Sequence, residues 1–223
     1  LYSSAASDVY KRQVLVSMAV LLGGGGVAYA LNNLAVQLLA LLILALNARR
    51  FAQFWRDAPR ALAWLAALSL ALPLLQLVPL PPAIWQQLPG RELVLEALEA
   101  AQLHPGWRPL SLDPARAFVA ALGLIVPLTL LSVGWHLPMR AIARLAALVV
   151  ILGLANFLWG IPQVLSNGSA AIPYPENPMP GVMFGSFANR NSTGLFFVAC
   201  LALSLNVKLS LIHISEPTRL RRI

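Results

Sequence analysis

Charge is scarce in this chain, and cysteine is nearly absent. Only 11% of its 223 residues are Asp, Glu, Lys or Arg, with one cysteine and three histidines. A single cysteine excludes an internal disulfide, and Cys200, set in an apolar run, reads as a small packing residue. His104 stands beside proline and glycine with no carboxylate or second histidine at ligand spacing, so general-base work is not assigned to it. His136 adjoins Trp135 and reads as interfacial. With no HExxH and no cysteine pair, no metal site is expected, and no cofactor. Phosphate loops, dinucleotide fingerprints and nucleophile elbows are missing as well. Gly23–Gly26 lacks the lysine and Ser/Thr of a phosphate loop and reads as a flexible turn.

What the chain has is apolar length. Hydrophobic residues make up 59% of it, the mean hydropathy is +0.74, and the apolar residues fall in blocks. That is the composition of a polytopic membrane protein with the lipid bilayer as its medium. The formal charge of +8 would suggest nucleic acid in a soluble protein. Here no basic patch interleaved with aromatics survives outside the loops, and nucleic acid is not an expected partner.

The two ends read differently from the rest. Ser3–Gln13 (SSAASDVYKRQ) is similar to a translation of the transposon end used in sequencing adapters. Leu209–Arg219 (LSLIHISEPTR) is similar to its reverse complement running into the partner adapter. Residues 1–13 and 209–223 are therefore set aside as adapter-derived. The remainder, 14–208, is expected to be a transmembrane helical region cut from a longer gene.

A hydrocarbon core of about 30 Å calls for about 20 apolar residues as helix. The expected fold is all-α, a polytopic transmembrane helix bundle of five or six spans. These are Val14–Leu22 (the tail of a span), Leu34–Ala48, Ala61–Val78, Ala115–Val133, Ile142–Trp159 and Ser192–Val207. Pro73 is an expected kink position by its lost N–H, and Asp113-Pro114 is a helix start signal. Loop charge orients the spans. Arg49, Arg50, Arg56 and Arg60 share one side with Arg140, Arg144 and Lys208. Of the opposite loops, 79–113 sets Arg91 and Arg108 against Glu92, Glu96, Glu99 and Asp113, and 160–191 holds Arg190 and Glu176. The basic side is expected to be cytoplasmic.

In the first outer loop, Val78-Pro-Leu-Pro-Pro82 reads as a stiff exit. Arg91–Gln102 reads as a short amphipathic helix at the membrane surface or over the bundle, and Trp85 and Trp107 as interfacial belt residues. The second outer loop, rich in proline and glycine, is expected to be irregular and long enough to fold back as a lid or re-entrant segment. It ends in Gly185-Ser-Phe-Ala-Asn189-Arg190-Asn191-Ser-Thr-Gly194. A helix-end arginine ordinarily snorkels to headgroups. Here it lies on the outer side between two amides where a helix begins, so its planar fork, neighbouring amides and free N–H groups describe an anion site.

That phrase resembles the G-x-F-x-N-x-N lead-in of the O-antigen ligase and O-antigen polymerase family. Leu77-Val-Pro-Leu-Pro-Pro82 and Leu110-Ser-Leu-Asp-Pro114 are also similar to it. The resemblance covers 14–208 as the N-terminal half of such a protein. It implies a metal-independent glycosyltransferase of the bacterial inner membrane, acting on the periplasmic face in lipopolysaccharide biosynthesis. The donor would be undecaprenyl-pyrophosphate-linked glycan, and the acceptor lipid A core, a growing polysaccharide or a protein. Arg190, flanked by Asn189 and Asn191, would hold the pyrophosphate. The family's general base lies in a later outer loop, so none is assigned here and the fragment is expected to be inactive. The rival readings are a transporter or flippase segment, against which stands the lack of an ionisable residue deep in a span, and a structural membrane subunit.

Overall fold

Backbone in hydrocarbon finds no water to bond, and segments of leucine, alanine and valine therefore close their hydrogen bonds internally as helix. The computed structural model describes residues 2–169, 173–174 and 179–215, with side chains of 2–8, 27–28 and 206–215 excepted. Residue 1, the stretch 216–223 of the adapter-like tail, and Pro175, Glu176 and Pro178 lie outside the described residues.

Helix dominates the described structure. Helix α1 is Tyr2–Leu22, followed by a 3-10 segment, Gly23–Tyr29, then α2 Ala30–Leu46, α3 Ala48–Asp57 and α4 Arg60–Leu75. The first outer loop contains β1 Pro79–Leu80, α5 Pro82–Trp85, α6 Glu92–Ala100 and β2 Arg108–Pro109. Helices α7 Pro114–Gly123, α8 Ile125–Gly134, α9 Met139–Leu165 and α10 Arg190–Ser215 complete the order. Among the described residues two segments, Pro114–Gly134 and Met139–Leu165, are long and apolar enough to cross a membrane. The pair α2 and α3 passes only as one span bent by 80°, and Arg60–Leu75 and Arg190–Leu205 are apolar but shorter. The described residues are thus mostly helical, and their long apolar helices mark a membrane protein. Leucines such as Leu38, Leu42, Leu68, Leu72 and Leu154 stand exposed along these helices, as on a lipid-facing surface.

The interior is assembled where α1, α2 and α8 meet. Leu15, Val36, Ala40 and Ile43 are buried there, with Met18, Leu22, Val126 and Leu130 against them. Helix α1 runs unbroken through residue 13, and Arg12 is 1% exposed, its Nη2 donating to the Val133 carbonyl at 2.8 Å. Helix α10 packs beside α9. A Cβ at Gly153 would lie 2.5 Å from the Cys200 sulfur, so glycine sets how closely the two helices approach. Cys200 is buried there, as expected of a packing residue.

Three local expectations change. The stretch after α2, expected as a basic loop, is a helix. Phe51, Phe54 and Trp55 recur at helical spacing, and Phe54 is fully buried, edge-on to Trp135 at 5.7 Å. Helix α3 is also tied by the His136 Nε2–Asp57 Oδ2 pair at 3.1 Å. Helix α9 extends from Met139 to Leu165, carrying Pro162 within its last turn, beyond the expected end at Trp159. Asp113 does cap α7, its Oδ1 accepting from the Arg116 N–H at 3.0 Å with Pro114 in the first turn.

The third change is Trp85, expected in an interfacial belt. It is fully buried instead, and its Nε1 donates to the Gly106 carbonyl at 2.9 Å. Arg108 lies over its ring at 5.8 Å. Pro79 and Leu80 pair antiparallel with Pro109 and Arg108, and Arg91 donates to the carbonyls of Pro109 and Leu110. The loop is a folded cap closed at its base and pinned by one tryptophan. Trp85→Ala is expected to cost about 3–5 kcal/mol of cap stability, read as rapid proteolysis within 86–107. Trp107→Ala, at a residue 68% exposed, is expected to leave the cleavage pattern unchanged.

Candidate functional site

The last ordered turn before α10 is held from three sides. Two amides of α9 do most of the holding. Asn156 and Gln163 are seven residues apart, two helical turns, and therefore share a face; both are buried. Gln163 Oε1 accepts from the N–H groups of Phe184 at 3.0 Å and Gly185 at 2.8 Å. Its Nε2 donates back to the Gly185 carbonyl at 3.0 Å. Asn156 Oδ1 accepts from the Ser186 N–H at 2.8 Å, and its Nδ2 donates to the Ser186 Oγ at 2.6 Å. A buried loop exposes backbone polar groups that need partners, and these two amides supply them.

Other elements complete the clamp. Ser186 Oγ donates to the Val20 carbonyl of α1 at 2.7 Å, and the Ala188 N–H donates to the Gly24 carbonyl at 2.9 Å. Thr193 Oγ1 of α10 donates to the Phe184 carbonyl at 2.7 Å. Gly23–Gly26, expected as a flexible turn, is a docking platform. A Cβ at Gly24 would clash with the Ser186 carbonyl oxygen, and one at Gly25 would lie 2.7 Å from the Tyr174 ring. Tyr174 is 7% exposed and edge-on to Tyr29 at 4.3 Å; burial, with Tyr29 adding to it, raises its phenol pKa.

The three residues singled out in the sequence sit at the exit of this clamp. Asn189 is the cap of α10: its Oδ1 accepts from the Asn191 N–H at 2.8 Å, and its carbonyl from the Thr193 N–H at 3.1 Å. Its amide oxygen is thereby engaged with backbone. Arg190 is the first residue of α10 and is exposed, as is Asn191. Among the described residues Arg190 forms no ion pair; its Nη1 lies 3.9 Å from the Met179 sulfur. A cation at a helix N-terminus opposes the helix dipole, by about 0.3–1 kcal/mol at an exposed site. A bound anion would reverse that sign. The structure brings Asn189, Arg190 and Asn191 into one turn but gives them different duties, capping for Asn189 and an open guanidinium for Arg190.

No protein-family model, curated protein or solved structure matches the chain. The chemistry of the site therefore rests on its own geometry. The residues that sequence reading passed over are Asn156 and Gln163. Their signal was present, two amides at a seven-residue interval inside an apolar run, but only the position of the loop shows what they bond. His104 is exposed in the cap. Among the described residues no three His, Cys, Asp or Glu side chains converge.

Proposed function

We propose that the chain is part of a bacterial-envelope glycosyltransferase of the O-antigen ligase or polymerase type. It would sit in the inner membrane and act at the periplasmic face on undecaprenyl-pyrophosphate-linked glycan. One observation carries this reading: Arg190, exposed and without an ion pair among the described residues, is fixed at a helix N-terminus by a buried loop. A planar guanidinium beside free helix N–H groups suits a pyrophosphate. Stabilising charge on the departing pyrophosphate would be its contribution to transfer. In this reading α1, α2, α4, α7 with α8, α9 and α10 are the spans. The 17-residue α2 and 16-residue α4 reach only about 25 Å, a mismatch that local bilayer thinning accommodates. Helix α3, with Arg49 and Arg56 exposed, lies along the cytoplasmic surface, and the 79–113 cap is outside.

The test is Arg190→Ala in the uncut gene. Glycan transfer is expected to fall on the order of a hundredfold or more, with insertion unchanged and partial activity in Arg190→Lys. Undiminished glycan on the cell surface with Arg190→Ala would refute the role.

A further inference from the structure

On the other side of the Gly23–Gly26 platform from the Ser186 loop lies a cavity of about 420 Å³, bounded by α1, α2, α7 and α8. Small-ligand sites are typically ~300–1,000 Å³, and a single water occupies about 30 Å³, so the space is of ligand size. Its polar groups form a short ladder. Arg116 stands at the first turn of α7, Asn33 in the first turn of α2, and Gln37 one turn further in. Four residues along a helix is a step of about 6 Å. The remaining wall is apolar, with Val36, Val119 and Pro127.

Two of these groups have capacity to spare. Gln37 is 8% exposed and lines the cavity, yet among the described residues its amide has no hydrogen-bond partner. The amide is reached from the cavity rather than sealed in the interior, so its bonding capacity is open to a ligand there. Arg116 gives its Nε edge to Asp113 Oδ2 at 3.1 Å. Asp113 also caps α7 through its other oxygen, so the second edge of the Arg116 fork is open. The cavity thus offers a cation in the first turn of α7, an amide one turn along α2 from Asn33, and apolar walls beside a candidate membrane-spanning helix, Pro114–Gly134.

We propose that this cavity binds one anionic glycerophospholipid, its phosphate on Arg116 and an acyl-ester carbonyl accepting from the Gln37 amide. The combination of lining groups selects this occupant: a glycerophospholipid brings a phosphate, ester carbonyls a few ångströms from it, and apolar chains. A free phosphate would leave Gln37 and the apolar wall without a partner. A polyprenyl phosphate has no carbonyl to offer the amide. This site is separate from Arg190 and does not rest on the transferase reading.

The test titrates the detergent-purified chain with ester-linked phosphatidylglycerol or its ether-linked counterpart, reading the retained lipid by native mass spectrometry. The ester lipid is expected to be retained as one copy and to bind severalfold more tightly than the ether lipid, which lacks the carbonyl. Gln37→Leu is expected to erase that difference, and Arg116→Gln to weaken both lipids on the order of tenfold or more. Gly123 lines the cavity and a Cβ there meets nothing within 4 Å, so Gly123→Leu is expected to occupy cavity space and abolish retention. Equal binding of ester and ether lipids by the unaltered chain would overturn the proposal, even if a variant failed to fold. So would full retention by a folded Gly123→Leu, or binding of inorganic phosphate without lipid. Arg190→Ala is expected to leave retention unchanged.

Discussion

Gly185→Ala is expected to destabilise the protein by about 3 kcal/mol or more, combining a left-handed backbone that costs a side chain about 1–3 kcal/mol with a steric clash. Gly185 has φ +58, and a Cβ there would collide with Asn156 Oδ1. Relief would require moving the amide that holds Ser186, so strain at one residue becomes lost hydrogen bonds at the next. At about 2–4 °C per kcal/mol for a chain of this length, the melting temperature in detergent should fall by roughly 6–12 °C. Gly194→Ala is the matched control. A Cβ there meets nothing within 4 Å, and alanine in a helix interior is favoured over glycine by about 0.5–1 kcal/mol. A melting temperature for Gly185→Ala equal to that of the unaltered chain would show that the clamp does not hold this turn.

Gln163→Leu is expected to have an effect of similar or greater size. It leaves the N–H groups of Phe184 and Gly185 and the Gly185 carbonyl without these partners. Each buried polar group left unpaired costs about 1–3 kcal/mol, which puts the loss for the three at about 3–9 kcal/mol. Asn156→Leu removes the acceptor of the Ser186 N–H, while Ser186 Oγ keeps its bond to Val20, so a smaller loss of about 1–3 kcal/mol is expected. Both amides hold one loop, and the double substitution is expected to cost less than the sum of the singles. Strict additivity in thermal unfolding would mean that the two amides act on independent structures. On the transferase reading proposed above, the same substitutions would release the turn that places Arg190, and transfer is expected to fall even where the protein still inserts.

The sequence was informative where a local rule decides. Asp113-Pro114 started α7 where capping chemistry put it, because a cap is made within one turn. Apolar block length marked the helices for a related reason, since in lipid the backbone has no other way to satisfy itself. Helix α3 was misread as loop because four arginines between 49 and 60 obscured the spacing of Phe51, Phe54 and Trp55; only the burial of Phe54 against Trp135 shows that face to be packed. Trp85 was misassigned similarly. An aromatic near a membrane boundary suits a belt or a cap equally well, and its partner, the Gly106 carbonyl, lies 21 residues away.

By itself the sequence determined that this is a helical membrane protein and that a helix begins beside the Asn189-Arg190-Asn191 phrase; the structure starts α10 at Arg190 itself. Both follow from composition and from interactions spanning a single turn. Tertiary structure alone decided what holds that arginine in place. Asn156 and Gln163 reach the Gly185 turn across 22 to 30 residues, and Val20 meets Ser186 across 166. Hydrogen bonds over such separations depend on how helices pack against one another, and no local pattern of residues encodes them.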